Sequence, residues 1–220
     1  GDDRYLGGAA TQGIGFMGVG ILRDDGGEDL YQANLYAQGF GGVAGVGALE
    51  DACGNDLYVI QPKEVSVLHY NDRTYSMAQG ASFGERPRAS GGIGLLLDGG
   101  GNDSYVADLF AQGVSYWLGI GGLWDRDGHD HYAAYQYAQG SGVHLAIGLL
   151  LDGAGNDTYA SKGVSQGVGH DLGLGVLRDL AGNDTYAAHD LSQGAGNANG
   201  IGVLLDASGL DGYLGKSDRN

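Results

Sequence analysis

The sequence predicts an all-β chain wound as one parallel β-solenoid of about eight coils, each 27 residues long. Three observations predict it. An octet with a fixed grammar recurs: Asp, two free positions, Gly, a residue that is often Asn, Asp, a free position, Tyr. Its first Asp falls at Asp24, Asp51, Asp98, Asp125, Asp152, Asp179 and Asp206, so every gap but one is 27 residues. Self-similarity at a fixed period of about 20–50 residues marks a repeat architecture. Finally, no segment keeps apolar residues at helical spacing, and paired glycines would weaken a helix by about 1 kcal/mol each. The stretches between glycines are short, β-branched or aromatic and partly alternating, as strands are. Parallel crossovers are right-handed by default.

Each column of the repeat then has a physical task, taken in order from the octet's first Asp. A truncated copy, Gly1-Asp2-Asp3-Arg4-Tyr5, opens the chain. Position 8 is always Tyr, at Tyr5, Tyr31, Tyr58, Tyr105, Tyr132, Tyr159, Tyr186 and Tyr213. Stacked at the strand spacing of about 4.8 Å, these rings are expected to form an aromatic ladder. Positions 15 and 16 are Gln-Gly, from Gln12 to Gln193, and an amide ladder is expected there. Positions 22 to 26 read Gly-aliphatic-Gly-x-Leu, as in Gly92-Ile93-Gly94-Leu95-Leu96. The Leu column and the aliphatic at position 23 are expected to fill the core. About three glycine-marked bends per coil predict three short sides.

The period breaks once, between Asp51 and Asp98, where 47 residues stand in place of 27. Residues 59–91 hold both prolines, Pro62 and Pro87, and a basic group of Lys63, Arg73, Arg86 and Arg88, with His69 among them. Insertions in solenoids form loops on one face, often the binding face. Lys63, His69, Arg73, Arg86 and Arg88 are the candidate ligand-binding residues. Residues 1–220 otherwise read as a single repeat domain.

Composition narrows the function. The net charge is −16, which argues against nucleic acid as a partner. The octet's two Asp positions supply 15 of the 27 acidic residues, so one explanation of the octet covers most of the charge. The lone cysteine, Cys53, fills a small-residue slot and offers no disulfide framework. No transmembrane run, signal peptide or lipidation motif is visible.

Stacked octets align two columns of carboxylates: Asp24, Asp51, Asp98, Asp125, Asp152, Asp179 and Asp206, then Asp29, Asp56, Asp103, Asp130, Asp157, Asp184 and Asp211 after Asp3. Like charges about 5 Å apart repel by roughly 1 kcal/mol in water and more where buried. Asx-turns, in which each Asp accepts backbone N–H groups of its own turn, are one source of relief. A hard cation between coils is the other, and oxygen ligands at about 2.3–2.6 Å suit calcium. The octets Asp98-Gly99-Gly100-Gly101-Asn102-Asp103-Ser104-Tyr105 and Asp152-Gly153-Ala154-Gly155-Asn156-Asp157-Thr158-Tyr159 resemble, from their second residue on, the haemolysin-type (RTX) calcium-binding repeat. That resemblance implies calcium held between coils, with Asp103 and Asp157 as ligands and equivalents at Asp29, Asp56, Asp130, Asp184 and Asp211.

Three further groups are candidates. His129 and His131 add histidines to one turn, at free positions of the repeat. Position 11 stacks Asp108, Tyr135, Lys162 and His189, with Asp190 beside it, and these four are the catalytic candidates. Position 13 stacks Tyr36, Phe110 and Tyr137, aromatics able to pack on sugars. The leading expectation is a non-catalytic extracellular or cell-surface module, calcium-stabilised and stacking end to end on itself. The alternative is a carbohydrate-active enzyme or carbohydrate-binding module taking acidic polysaccharide near the insertion. Ice binding is a third reading, against which the missing Thr ladder counts.

Overall fold

The computed structural model describes residues 1–63 and 70–216. Among them every strand pairing inside the sheets is parallel, no helix is present, and successive coils stack as a β-solenoid. The 27-residue register is kept strand by strand: Tyr105 pairs with Tyr132, Tyr132 with Tyr159, and Leu150 with Leu177. The long gap is absorbed in the same way, since Tyr58 pairs with Tyr105 and Leu49 with Leu96.

Two sheets run the length of the stack. An eight-stranded sheet carries the Tyr column, from Arg4–Leu6 to Gly212–Lys216. A seven-stranded sheet carries the Gly-aliphatic-Gly-x-Leu segments, from Val19–Arg23 to Ile201–Asp206. The expected third side is divided between two short sheets. One has four strands, among them Tyr75–Ala78 and Leu109–Ala111, and the other five, from Ser82–Phe83 to Gly196–Asn197. A central coil therefore has four strands rather than three, as at Ser104–Val106, Leu109–Ala111, Ser115–Tyr116 and Ile120–Trp124.

Period-two alternation decides what points inward. In the strand Ile93–Asp98, Gly94, Leu96 and Asp98 are buried. The Leu column packs on the Tyr column as one core, as expected. The aliphatics of position 23 do not: Ile93, Ile120 and Ile201 face outward, because each stands three residues before the inward Leu. Gly94 fills an inward place where a Cβ would lie 1.9 Å from the Ala81 carbonyl oxygen, so no larger residue fits. The Tyr rings stack at 4.7–4.9 Å with interplanar angles of 1–6°.

The Gln column is built differently from an amide ladder. Gln112 Nε2 donates to the Tyr105 carbonyl in its own coil (2.9 Å) and the Ala133 carbonyl of the next (3.1 Å). Gln139 repeats the pattern on Tyr132 and Ala160. The amide thus cross-links backbones of adjacent coils while Gln112 and Gln139 hold left-handed φ of 55° and 51°. Net hydrogen bonds of about 1 kcal/mol each offset that strain.

Of the insertion, Tyr75–Ala78 and Ser82–Phe83 rejoin the sheets, and Glu85 and Ala89 pair antiparallel across a small turn. His69 lies outside the described residues.

Candidate metal centre

Strand alternation carries straight into the octet. With Leu96 inward, Asp98 is inward as well, and the chain turns immediately after it. The two Asp columns therefore lie inside the solenoid: Asp51, Asp98, Asp103, Asp125, Asp130, Asp152, Asp157, Asp179 and Asp184 are all buried. Only the end coils, with Asp3, Asp206 and Asp211, leave them open to solvent.

The first Asp of the octet accepts a tyrosine hydroxyl and in most coils a turn N–H as well; Asp152, whose Oδ1 is buried without a partner, has only the hydroxyl. Asp98 Oδ1 accepts the Gly100 N–H (2.9 Å), the expected Asx-turn, and its Oδ2 accepts the Tyr58 hydroxyl (2.6 Å). Tyr105 donates to Asp125, Tyr132 to Asp152 and Tyr159 to Asp179 at 2.7–2.8 Å. The second Asp bonds outside its own turn. Asp103 Oδ1 accepts the Asp56 N–H of the preceding coil (2.6 Å), and Asp130 Oδ1 likewise accepts the Asp103 N–H (2.7 Å). Its other oxygen has no partner: the Oδ2 atoms of Asp29, Asp56, Asp103, Asp130, Asp157 and Asp184 are all buried and unbonded.

The second-column Asp side chains meet other carboxylates. Asp29, Asp51 and Asp56 bring one oxygen each within 4.8 Å of one another. So do Asp56, Asp98 and Asp103, then Asp103, Asp125 and Asp130, then Asp130, Asp152 and Asp157. Each interval between coils therefore holds one first-column Asp and two second-column Asp shared with the intervals on either side. Sharing leaves two carboxylates per interval.

Such a column cannot stay ionised and dry. Burial, helped by neighbouring carboxylates, pushes Asp103 up to about 9, Asp130 up to about 10 and Asp152 up to about 9. Asp56, Asp125 and Asp157 rise to about 7 for the same reason, and Asp51 and Asp184 to about 6. The hydroxyls of Tyr58, Tyr105, Tyr132 and Tyr159 are driven far above their ordinary range by burial and the adjacent Asp, so they remain donors. Asp24 in the open first coil goes the other way, lowered by the Tyr5 hydroxyl and the Gly26 N–H. Octets of one grammar thus hold different carboxylates: at Asp24 the two hydrogen bonds outweigh desolvation, and in the central coils desolvation prevails.

Outside this column runs a second ladder that the sequence reading missed. The octet's fifth residue reaches to the next coil: His129 N–H donates to Asn102 Oδ1, Asn156 N–H to His129 Nδ1 and Asn183 N–H to Asn156 Oδ1, at 2.8–2.9 Å. The preference for Asn at that position was its only signal. His129 serves there as an acceptor in place of Asn, while His131 lies exposed in the Tyr-bearing strand.

The catalytic candidates do come together. Asp108, Tyr135, Lys162 and His189 line one open groove of about 610 Å³ with Arg73 from the insertion. The Arg73 guanidinium lies 3.8 Å from the centre of the Tyr135 ring, with Lys162 Nζ at 5.5 Å. Asp108 Oδ2 accepts both the N–H and the hydroxyl of Thr74 (2.7 and 2.9 Å), fastening the returning insertion to the coil. The other ligand-binding candidates have separate partners. Arg86 sits 5.2 Å over Trp117 and beside His144, which contacts Asp171 at 2.5 Å. Arg88 pairs with Glu85 (2.7 Å), and Lys63 is exposed.

The aromatics of position 13 pack against one another. Phe110 is buried and stacks on Tyr137 at 4.8 Å within an aromatic core that Tyr36 also packs against. These rings support the short sheets, with Tyr36 and Tyr137 half-buried beside the buried Phe110.

No known family model matches the chain, and no curated protein or solved structure matches it significantly. What the geometry offers chemically is a row of hard oxygen donors in need of positive charge.

Proposed function

We propose that the chain is a non-catalytic structural module whose coils are clamped by calcium, one ion per interval, in an extracellular setting. The observation that carries this reading is the row of buried Oδ2 atoms with no hydrogen-bond partner. Two carboxylates per interval balance one divalent cation. Two oxygens flanking a calcium ion at about 2.3–2.6 Å stand up to about 5 Å apart, and the trios fall within 4.8 Å. Three carboxylates leave the rest of calcium's six to eight oxygens to water and turn carbonyls. Magnesium, which keeps several waters in a rigid octahedron, suits so dry a column less well. The resemblance of the turn to haemolysin-type repeats supports the same ion. Extracellular calcium modules work with millimolar-range affinities, so the coils would close where calcium is abundant.

Thermal unfolding in EDTA and in calcium, with bound metal counted by atomic emission, tests this. Calcium at 100 times its dissociation constant raises stability by about 2.7 kcal/mol per site. An unchanged midpoint sinks the proposal.

A further inference from the structure

We infer that the groove of Arg73, Lys162 and Lys216 binds a linear acidic polysaccharide, its carboxylate or sulfate groups pairing with those three cations. This is independent of calcium in the Asp column. The repeat's position 11 runs Asp108, Tyr135, Lys162, His189 and Lys216, each 27 residues after the last. His189 and Lys216 are direct partners in the sheet, so the column continues to the last described residue. The groove of about 610 Å³ shares Ala160, Ser161 and His189 with a neighbouring hollow of about 260 Å³ that reaches Lys216. Together they form one trough over five coils, roughly 19 Å long at the strand spacing.

Charge in this molecule is segregated. The chain has 11 Lys and Arg against 27 Asp and Glu, yet three of the 11 line this trough. Among the described residues its one acidic member, Asp108, is bonded to Thr74 and lies 3.9 Å from Arg73. Most octet carboxylates are buried elsewhere in the coil. A polyanion approaching this side therefore meets fixed positive charge.

Shape points the same way. Alanines from successive coils form the floor, Ala107, Ala134 and Ala160 among them, so nothing interrupts an extended chain. Single-stranded nucleic acid would need successive aromatic platforms for its bases. Among the described residues Tyr135 is the trough's one aromatic, and the Arg73 guanidinium lies over its ring.

The test is calorimetric titration of the full chain, at constant calcium and low salt, with oligogalacturonate, a sulfated oligosaccharide, neutral dextran and single-stranded DNA. One or both acidic saccharides should bind, with affinity falling as salt rises. Lys162→Ala and Lys216→Ala should each weaken binding about tenfold, the worth of one charge-assisted contact. Lys162→Arg should retain it, and Arg23→Ala, whose partner is Asp25, should leave it unchanged. Circular dichroism checks that each variant is folded. The inference is overturned if neither acidic saccharide binds, if dextran or DNA binds as well, or if the folded alanine variants match the wild type.

Discussion

Under the calcium proposal, substituting Asp130 and Asp125 in turn separates a shared ligand from an unshared one. Asp130 contributes to two trios, with Asp103 and Asp125 on one side and Asp152 and Asp157 on the other. Asp125 belongs to the first of these alone among the trios named above. At 100 times the dissociation constant each occupied interval adds about 2.7 kcal/mol. Asp130→Asn should therefore remove about 5 kcal/mol of calcium-dependent stability, and Asp125→Asn about half of that. For a chain of this size 1 kcal/mol moves the midpoint by about 2–4 °C, which predicts losses of about 10–20 °C against about 5–10 °C. In EDTA the order should vanish. With Asp130→Asn the side-chain carbonyl oxygen can still accept the Asp103 N–H, and the substitution removes one of several crowded carboxylates. Differential scanning calorimetry of both variants, with and without calcium, reads the four numbers. Equal calcium increments in the two variants would refute sharing, and an undiminished increment in Asp130→Asn would refute ligation.

The remaining predictions concern the same column. Asp103, Asp130 and Asp152 have folded-state values of about 9–10 against 3.8 unfolded, so the native chain holds extra protons between those limits. Metal-free stability is then greatest below pH 4 and falls as pH rises toward 10, with slope set by the protons lost. Melting in EDTA from pH 5 to pH 9 should show a steady drop, and a flat or rising profile would contradict it. In calcium the increment should instead grow with pH, because the metal displaces those protons, and a pH-stat titration near pH 7 should record acid release. Tyr105→Phe removes the hydroxyl on Asp125 Oδ2 (2.7 Å) but keeps the ring stack, and should cost about 1–3 kcal/mol by chemical denaturation.

The fold was legible because its signals are global. A 27-residue period that aligns Tyr105 with Tyr132 and Tyr159 is the register itself, and strand pairing merely realises it. Local orientation was less legible. Ile93 looked like core because it is aliphatic, yet its face is fixed by distance from Leu96, three residues on, and alternation turns it outward. Counting two-residue steps back from the Leu would have found this. Gln112 looked like a ladder because amide columns often are. Its Nε2 instead finds backbone carbonyls left by a left-handed turn, and nothing in residue identity specifies that conformation. The Tyr–Asp bonds were hidden by sequence distance: Tyr58 and Asp98 lie 40 residues apart and meet only once the coil closes.

The same alternation that hid Ile93 explains the acidity of the chain. Leu96 and Asp98 are two residues apart, so a strand that buries one must bury the other. A surface aspartate ladder could relax by spreading its side chains into water. This one is held by a tyrosine hydroxyl on one oxygen and a turn N–H on the other, while the adjacent column keeps an orphan oxygen in every interior coil. Protons can neutralise that column, but each stabilises only its own carboxyl group. A divalent ion placed between coils neutralises two carboxylates and joins adjacent turns in one step. With the proposed ion in place, the column becomes a coupling device whose strength scales with the number of coils. Its most informative variant is a central one such as Asp130, where a lost ligand is felt on both sides.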